Sequence, residues 1–157
     1  MARRTNRLDA LNHQDCCSVQ RAADAGSSVK LPEDSATWLC ISGTKYQAEH
    51  EYTGKLCDYL LFWLPLQRGP VLLVAIELKS GSMNIRQVAD QLQNGLSLAD
   101  QMLVKMTTKF TPLLVHNSIS SMELVKLRKA RVSFRGVSRL IEHKKNGFDI
   151  AAIDWPQ

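Results

Sequence analysis

Residues 71–81 of the chain read VLLVAIELKSG, a run of apolar residues that ends in Glu77 and Lys79 on either side of Leu78. The run is continuous rather than alternating, which predicts a strand that is covered on both faces and lies at the centre of a sheet. Residues two apart on a strand project from the same face, so Glu77 and Lys79 are expected side by side. The buried strand therefore ends in a carboxylate and an ammonium group on one face.

The segments before this strand indicate its neighbours. Residues 37–42 (TWLCIS) and 55–64 (KLCDYLLFWL) are rich in residues that favour strands, and the polar segment 43–54 between them is expected to form a turn or part of a hairpin. Residues 65–70 (PLQRGP) have a proline at each end and are typical of a turn. The second and third strands are therefore expected to be neighbours in the sheet.

The apolar period changes from that of a strand to that of a helix after residue 81. Apolar residues recur every three or four positions from Ile85 to Met106, which predicts an amphipathic helix of about twenty residues. Gly95 near its middle is expected to cost about 1 kcal/mol relative to alanine. Asn84 and Gln87 form a pair that resembles a capping box at the helix start.

The remaining elements are shorter. They are a helix around Asn12 to Ala23 followed by a loop, a strand at 111–117, a helix at 118–130, and the strand-like pieces RVSFRG (131–136) and VSRLIEHK (137–144). The whole order predicts an α/β fold with a central mixed sheet flanked by helices. We expect a single domain over residues 1–157, with an N-terminal helix and loop (1–35), a core (37–117) and a basic C-terminal extension (118–157).

The composition is that of an ordinary folded protein, with 45% hydrophobic and 22% charged residues. The N-terminal MARRTNRLDALNHQ has basic residues without an apolar stretch behind them, so a secretory signal is not expected, and every apolar run is shorter than a membrane span. The cysteines at positions 16, 17, 40 and 57 lack a zinc-site spacing and are expected to be reduced thiols. We therefore expect a cytoplasmic protein that does not contact a membrane.

Positive charge is concentrated in the C-terminal third. Residues 105–145 contain ten Lys or Arg against two Glu, whereas the first 104 residues are nearly balanced. This asymmetry is typical of a surface that faces a polyanion, and equally of a basic face that is simply solvated. The residues expected to contact nucleic-acid phosphates are Lys126, Arg128, Lys129, Arg131 and Arg135.

Asp58 interrupts the apolar run of the second strand, where a carboxylate is costly unless it is paired, hydrogen-bonded or bound to a cation. If the second and third strands are neighbours, Asp58 and Glu77 converge at one edge of the sheet. Two carboxylates with open positions beside them suit Mg²⁺, and Lys79 would hold or help to deprotonate a water there. The structural alternatives are a solvated Glu77–Lys79 ion pair and a carboxylate of Asp58 that caps backbone amides.

Asp58, the triplet Glu77-Leu78-Lys79 and the long helix with Gln91 resemble the PD-(D/E)XK nuclease superfamily over residues 37–117. The resemblance implies a restriction endonuclease-like αβββαβ core. It also implies that Asp58 and Glu77 bind Mg²⁺ or Mn²⁺, that the Leu78 carbonyl is a third ligand, and that Lys79 and Gln91 are catalytic. The sequence departs from the family at Cys57, where many members have proline, and the candidates for a further N-terminal acid are Glu33, Glu49 and Glu51.

Two functions are consistent with these features. The first is Mg²⁺-dependent hydrolysis of phosphodiester bonds, with DNA as the expected substrate, by a protein that works alone, as a homodimer or in a larger assembly. The second is a non-catalytic nucleic-acid-binding module on the same fold that acts with a partner protein. The intact set of Asp58, Glu77 and Lys79 favours the nuclease. His116, at the end of the fourth strand, is within reach of the site but is interpreted as a hydrogen-bonded structural residue.

Overall fold

The structure is a computed structural model that describes residues 6–9, 11, 17–24 and 26–156. Its helices are α1 (Asn6–Asp9), α2 (Gly43–His50), α3 (Ile85–Met102) and α4 (Ser121–Leu127). Its strands are β1 (Ser18–Val19), β2 (Ala22–Asp24), β3 (Ser27–Lys30), β4 (Trp38–Ser42), β5 (Tyr59–Trp63), β6 (Val71–Lys79), β7 (Thr108–His116), β8 (Arg131–Phe134), β9 (Val137–Leu140), β10 (Glu142–Lys145) and β11 (Phe148–Asp149). Two 3-10 turns, Ser35–Thr37 and Ile150–Ala152, complete the described elements.

Six strands form a central mixed sheet in the order β1-β4-β5-β6-β7-β10. Strands β4, β5 and β6 are successive antiparallel neighbours, whereas β6, β7 and β10 run parallel to one another. Helix α3 connects β6 to β7 and provides the crossover that parallel neighbours require. The α/β class and the mixed central sheet expected from the sequence are confirmed.

Strand β6 lies inside this sheet, as residues 71–79 predict, and all of its residues before Lys79 are buried. Its odd-numbered side chains, such as Leu73 and Ala75, pack with α3 on one face of the sheet, which we call the helix face. Its even-numbered side chains, such as Val74 and Ile76, pack on the opposite face. The small sheet β11-β3-β2 and the 3-10 turn Ile150–Ala152, which follows β11, cover this opposite face. Both faces are therefore buried, which explains the unbroken apolar run.

The helix expected around Asn12 to Ala23 is wrong for the described part of that segment. Ser18–Val19 pairs with β4 and Ala22–Asp24 pairs with β3, while residues 12–16 lie outside the described residues. Val19 and Ala22 pack on the face opposite α3. Strand pairing thus buries apolar side chains that a mainly polar helix would leave in water.

The turn or hairpin expected for residues 43–54 is instead a helix over Gly43–His50. The Ser42 hydroxyl accepts a hydrogen bond from the Lys45 backbone N–H at 3.3 Å and caps the first turn. Tyr46 stacks on His50 one turn later, with ring centroids 4.1 Å apart. The signal for this helix was the capping serine, which is also the last residue of a strand-like segment.

Asp58 precedes the second strand instead of lying inside it, because β5 begins at Tyr59 rather than at residue 55. The Asp58 carboxylate accepts a hydrogen bond from the Leu78 N–H at 2.7 Å, which ends the backbone ladder between the two strands. The other boundaries shift by a few residues: β7 begins at Thr108, α3 ends at Met102 and α4 is limited to Ser121–Leu127.

The segment after residue 130 contributes one strand to the central sheet and one to the small sheet β11-β3-β2. The two expected strand pieces become three strands, since VSRLIEHK divides at Ile141, whose side chain is buried on the helix face. Strand β10 pairs with β7 and β11 pairs with β3. Strands β8 and β9 form a hairpin that is tied to α3, because the Gln93 amide donates to the Ser133 carbonyl at 2.9 Å and accepts from the Ser133 N–H at 2.8 Å.

Aromatic residues contribute to the core on both faces of the central sheet. Trp38 and Phe62 are buried, and Tyr59 and Trp63 pack partly buried against the face opposite α3. Cys40 and Cys57 are buried free thiols, Cys17 is also buried, and Cys16 lies outside the described residues. None of the helices in the described ranges combines the length and the apolar character that crossing a membrane requires.

Candidate active site

Asp58 and Glu77 face each other at one end of the helix face. Tyr59 pairs with Ile76, so the residue before Tyr59 and the residue after Ile76 occupy the next facing positions of the two strands. By the alternation of each strand, Asp58 projects like Leu60, on the same face as the odd-numbered residues of β6. The two carboxyl groups are close enough to share a hydrogen bond when one of them holds a proton. The structure therefore brings together the two acids that the sequence singled out.

Lys79 completes this group. Its Nζ lies 3.6 Å from Oε1 of Glu77, and its side chain is 29% exposed whereas that of Glu77 is 2% exposed. The ammonium group is thus at the mouth of the site and the carboxyl group is inside it. We call Asp58, Glu77 and Lys79 the acid–lysine site.

The backbone on both sides of Asp58 is held by two helices. The Cys57 N–H donates to the Gln91 carbonyl in α3 at 3.1 Å, and the Asp58 carbonyl accepts from the Gly43 N–H at the start of α2 at 2.8 Å. The Leu78 N–H fixes the side chain of Asp58 from a third direction at 2.7 Å. The position of this carboxylate is therefore set by α2, α3 and β6 together.

Two glycines permit these helices to approach Cys57. A Cβ atom at Gly95 would overlap the Cys57 sulfur, and a Cβ atom at Gly43 would overlap the Cys57 carbonyl oxygen. Gly95 was expected to cost α3 about 1 kcal/mol of helix propensity. Its role is to let the middle of α3 contact the residue that precedes Asp58.

Glu77 is a buried acid without a complete set of partners. Its Oε2 atom is buried and accepts no hydrogen bond. Burial, and then the negative charge of Asp58, raises the pKa of Glu77 to about 8, although Lys79 acts in the opposite direction. Burial also raises the pKa of Asp58, against the hydrogen bond from Leu78. Two carboxyl groups in this setting favour one bound proton or one cation between them.

The donor set fits a hard divalent cation. Oε2 of Glu77 lacks a donor, and the Leu78 N–H points toward Asp58, so that the Leu78 carbonyl lies on the same side of its strand. Across the described ranges there is no cluster of three or more His, Cys, Asp or Glu side chains placed to hold a metal ion. A cation here would have two protein carboxylates and would take its remaining ligands from a carbonyl, waters or a phosphate, which is the coordination that Mg²⁺ accepts.

The backbone of Gln91 lies next to the acid–lysine site. This residue is half-buried, one turn before Gly95 in α3, and its carbonyl accepts the Cys57 N–H. Gln87 is nearer the helix start, where its N–H donates to the Asn84 side chain at 3.3 Å, and the predicted N-cap is confirmed. The other candidate acids, Glu33, Glu49 and Glu51, are exposed, and no described contact joins them to Asp58 or Glu77.

The basic residues after α3 differ in how far protein atoms already engage them. Lys126 forms an ion pair with Glu123 at 3.1 Å, and Glu123 also accepts the Ile85 N–H at the start of α3. The Arg131 guanidinium donates to the Ser138 carbonyl across the β8–β9 hairpin at 3.4 Å. Arg128 and Lys129 are exposed just beyond the end of α4.

Arg135 has a structural role that the sequence does not indicate. Its Nε donates to Asp100 at 2.7 Å, and its two terminal nitrogens donate to the carbonyls of Met106 and Leu103, each at 2.6 Å. These groups lie at the C-terminal end of α3, where unpaired carbonyls and the helix dipole favour a cation. The guanidinium also covers the Phe134 ring at 4.9 Å. Arg135 therefore joins the β8–β9 hairpin to the end of α3.

His116 is hydrogen-bonded, as its interpretation as a structural residue requires. It is 5% exposed, and its Nε2 lies 3.1 Å from Nδ1 of His143. It also pairs in register with Lys79 on the neighbouring strand. The sequence had no signal for the contact with His143, because the partner strand β10 is separated from β7 by α4 and the β8–β9 hairpin.

Comparison with known proteins gives no assignment. No family model matches the chain, and no significant match is found among curated proteins or among solved structures.

Proposed function

We propose that this chain is a metal-dependent nuclease of the PD-(D/E)XK type that hydrolyses phosphodiester bonds, with DNA as its substrate. One observation carries the proposal: two carboxyl groups from neighbouring strands face each other in a buried setting, and an ammonium group lies 3.6 Å from one of them. In this proposal Asp58, Glu77 and the Leu78 carbonyl hold Mg²⁺, for which Mn²⁺ can substitute. Lys79 and Gln91 complete the catalytic set.

The order of the elements around the site supports a restriction endonuclease-like core. Three antiparallel strands, β4, β5 and β6, are followed by α3 and by β7 parallel to β6. The acid–lysine site lies at the end of β6 from which the chain leaves toward α3. The first helix of the αβββαβ pattern has a weak counterpart, since the described helix before β4 is the four-residue α1.

The chain's own residues have separate tasks in the proposed reaction. Asp58 keeps a fixed position through the Leu78 N–H, so its second carboxylate oxygen remains available to a cation. The Lys79 ammonium, at the mouth of the site, orients the attacking water and stabilises negative charge on the phosphate. When bound, Mg²⁺ lowers the pKa of a water and neutralises charge that develops on the phosphodiester. A water oxygen then bonds to phosphorus while the bond from phosphorus to one sugar oxygen breaks. The attacking water loses a proton to solvent, and the departing sugar oxygen takes up a proton from solvent to leave as a hydroxyl group.

Part of the basic surface is proposed to hold the flanking phosphates. Arg128, Lys129, Arg131 and Lys126 are all exposed. Arg131 has a partner at 3.4 Å in the Ser138 carbonyl, and Lys126 has one at 3.1 Å in Glu123. Arg135 remains a prediction of the sequence alone, because Asp100 and two backbone carbonyls already occupy its guanidinium.

A cleavage assay on linear, circular, single-stranded and branched DNA tests the proposal, with Mg²⁺, Mn²⁺ or EDTA and with RNA as a parallel substrate. We expect cleavage that requires the metal and that is lost in Asp58→Asn and Glu77→Gln. The matched controls are Asp90→Asn and Glu49→Gln, which change exposed acids on α3 and α2. Equal cleavage by Asp58→Asn and the wild type would contradict the proposal. Binding of DNA without cleavage under every condition would instead support the non-catalytic module that acts with a partner.

A further inference from the structure

Three parallel strands end at one edge of the central sheet, beside the acid–lysine site. The register places Lys79 of β6 next to His116 of β7, and His116 next to Lys145 of β10. Leu114 and Ile141, which precede His116 and Lys145 by an even number of residues, both pack on the helix face. By strand alternation the three side chains therefore project from the same face as Glu77.

The spacing of this row is set by the sheet. Neighbouring strands lie about 4.8 Å apart, so the backbones of Lys79 and Lys145 are separated by about 10 Å across β7. His143 lies on the same face of β10 as Lys145, and it pairs with Leu114. We call Lys79, His116, His143 and Lys145 the edge row.

The two histidines of the edge row are coupled. Their rings stack with centroids 5.3 Å apart and planes inclined by 22°, and His116 Nε2 lies 3.1 Å from His143 Nδ1. Nδ1 of the buried His116 has no hydrogen-bond partner. One tautomer of His116 has its proton on Nε2 and donates it to His143, so that the buried Nδ1 of His116 is an unprotonated acceptor. This tautomer is favoured because the other would leave a buried N–H donor without a partner. In the favoured tautomer the second nitrogen of the exposed His143 carries an N–H that is available to a ligand.

The edge row has more positive charge than the protein compensates. Lys79 has Glu77 as its acid, whereas in the described part of the chain Lys145 forms no ion pair. Burial, and then the charges of His143 and Lys145, lowers the pKa of His116. A ligand that brings negative charge to this edge would compensate the charge of Lys145.

We propose that the edge row binds a phosphate adjacent to the scissile one, so that the nucleic-acid strand crosses the carboxyl ends of β6, β7 and β10. Lys145 and His143 contact this phosphate, and His116 is a positioning residue for His143. The proposal rests on the proposed function only for the choice of ligand, a phosphodiester backbone. It adds His116, His143 and Lys145, which belong neither to the acid–lysine site nor to the basic residues proposed above to hold the flanking phosphates.

Lys144 provides a matched control for Lys145. The two lysines are adjacent in β10 and carry the same charge, but they project from opposite faces, and Lys144 Nζ lies 5.3 Å from the centre of the Phe148 ring. We therefore compare Lys145→Ala with Lys144→Ala. The measurement is fluorescence anisotropy with labelled DNA and RNA oligonucleotides, single-stranded and duplex, in EDTA over a range of salt concentrations.

Lys145→Ala is expected to weaken binding by about threefold to tenfold and to reduce the slope of log affinity against log salt by about one. Lys144→Ala is expected to change affinity by less than about twofold. His143→Gln, at an exposed position, is expected to weaken binding without altering thermal unfolding. His116→Asn should reproduce the effect of His143→Gln on binding, and the exposed variant keeps the proposal testable if His116→Asn fails to fold.

Equal effects of Lys145→Ala and Lys144→Ala would overturn the edge row, because they would report only the total charge. Unchanged binding in both variants would overturn it as well. The proposed function is tested separately: an absence of metal-dependent cleavage together with a specific effect of Lys145→Ala would contradict the nuclease and retain the edge row. Metal-dependent cleavage with a KM that Lys145→Ala does not change would contradict the edge row and retain the nuclease. Selective binding of RNA would retain the edge row and overturn DNA as the ligand.

Discussion

Glu77 and Asp58 oppose each other across two antiparallel strands, and the charge of Asp58 helps to raise the pKa of Glu77 to about 8. A buried acid and a half-buried acid placed in this way destabilise the protein when both are ionised and nothing lies between them. The same arrangement provides two hard oxygen donors for a divalent cation. The pair therefore links the stability of the fold to the occupant of the site.

The first prediction concerns stability against pH. Glu77 holds its proton up to about pH 8 in the folded state, against an ordinary pKa of 4.5, so the folded state binds the extra proton between these values. The free energy of unfolding of the metal-free protein should fall as pH rises through this window, by up to about 1.4 kcal/mol per pH unit for one proton. The stabilisation that the extra proton on Glu77 provides is fully present below about pH 4.5 and is lost above about pH 8. Chemical denaturation at several pH values measures it.

Glu77→Gln should remove this part of the pH dependence, because the amide does not titrate, whereas the exposed Glu49→Gln should retain it. Saturating Mg²⁺ should flatten the wild-type curve above neutral pH, because the cation replaces the proton. Parallel curves for wild type and Glu77→Gln would show that Glu77 titrates normally in the folded state.

The second prediction concerns Lys79. Lys79→Met keeps the length and the apolar stem of the side chain but removes the charge at the mouth of the site. We expect kcat for metal-dependent cleavage to fall by about a hundredfold to ten-thousandfold, with little change in thermal stability. The control is Lys45→Met on the exposed surface of α2. Retention of kcat by Lys79→Met would remove this residue from the catalytic set.

The third prediction concerns Gly95. Alanine at this position gains about 1 kcal/mol of helix propensity, but its methyl group overlaps the Cys57 sulfur, and overpacking costs about 1–3 kcal/mol. We expect Gly95→Ala to be destabilising in thermal unfolding and to reduce cleavage through displacement of Asp58. Gly81→Ala is the control, since no atom lies within 4 Å of its Cβ position.

The double variant Cys57→Ala with Gly95→Ala tests the cause. Removal of the sulfur should relieve the overlap, so the two substitutions together should cost less than the sum of their separate effects. Additive effects would place the origin of the destabilisation elsewhere.

The fourth prediction concerns Arg135. Arg135→Ala removes three hydrogen bonds at the end of α3, and we expect a loss of about 1–3 kcal/mol in the free energy of unfolding. Arg135→Lys should recover little of this loss, because an ammonium group cannot reproduce the planar fork of donors. Arg128→Ala, at an exposed position, should change stability by less than about 0.5 kcal/mol. Full stability of Arg135→Lys would mean that charge alone holds the hairpin.

The fifth prediction concerns the surface after α4. If Arg128 and Lys129 contact phosphates, the double substitution to alanine should reduce the slope of log affinity against log salt by about two. Lys30 and Lys45 lie on other exposed parts of the chain, and their double substitution is the charge-matched control. An unaltered slope in the first variant would place the nucleic-acid contacts elsewhere on the protein.

Elements with one strong local sequence pattern were predictable from the sequence. The continuous apolar run of β6 and the apolar stripe of α3 each identify one element and the face that it buries. The same two elements position Glu77 and Lys79, and the short connection from β5 to β6 brings Asp58 opposite Glu77. The acid–lysine site was therefore predictable from the sequence, because it depends on local patterns and on one hairpin.

Features that depend on distant pairing were not predictable in the same way. Helix α2 is nearly uniform in polarity, and the two short strands before residue 25 gain their burial from β4 and β3 rather than from their own pattern. The contacts of Arg135 and the pairing of β10 with β7 join segments that lie far apart in the chain. A charge count identifies such basic residues, but it does not separate those that brace the fold from those that remain free to bind.

The packing of Gly43 and Gly95 around Cys57 has an evolutionary consequence. A side chain at position 43 meets the backbone carbonyl oxygen of residue 57, which no substitution at position 57 removes, so position 43 should remain glycine. A side chain at position 95 meets the Cys57 sulfur and requires a smaller residue at position 57, so positions 57 and 95 should vary together among any descendants of this sequence. A random-mutagenesis library selected for folding should show the same coupling, with bulkier residues at position 95 surviving mainly beside a smaller residue at position 57.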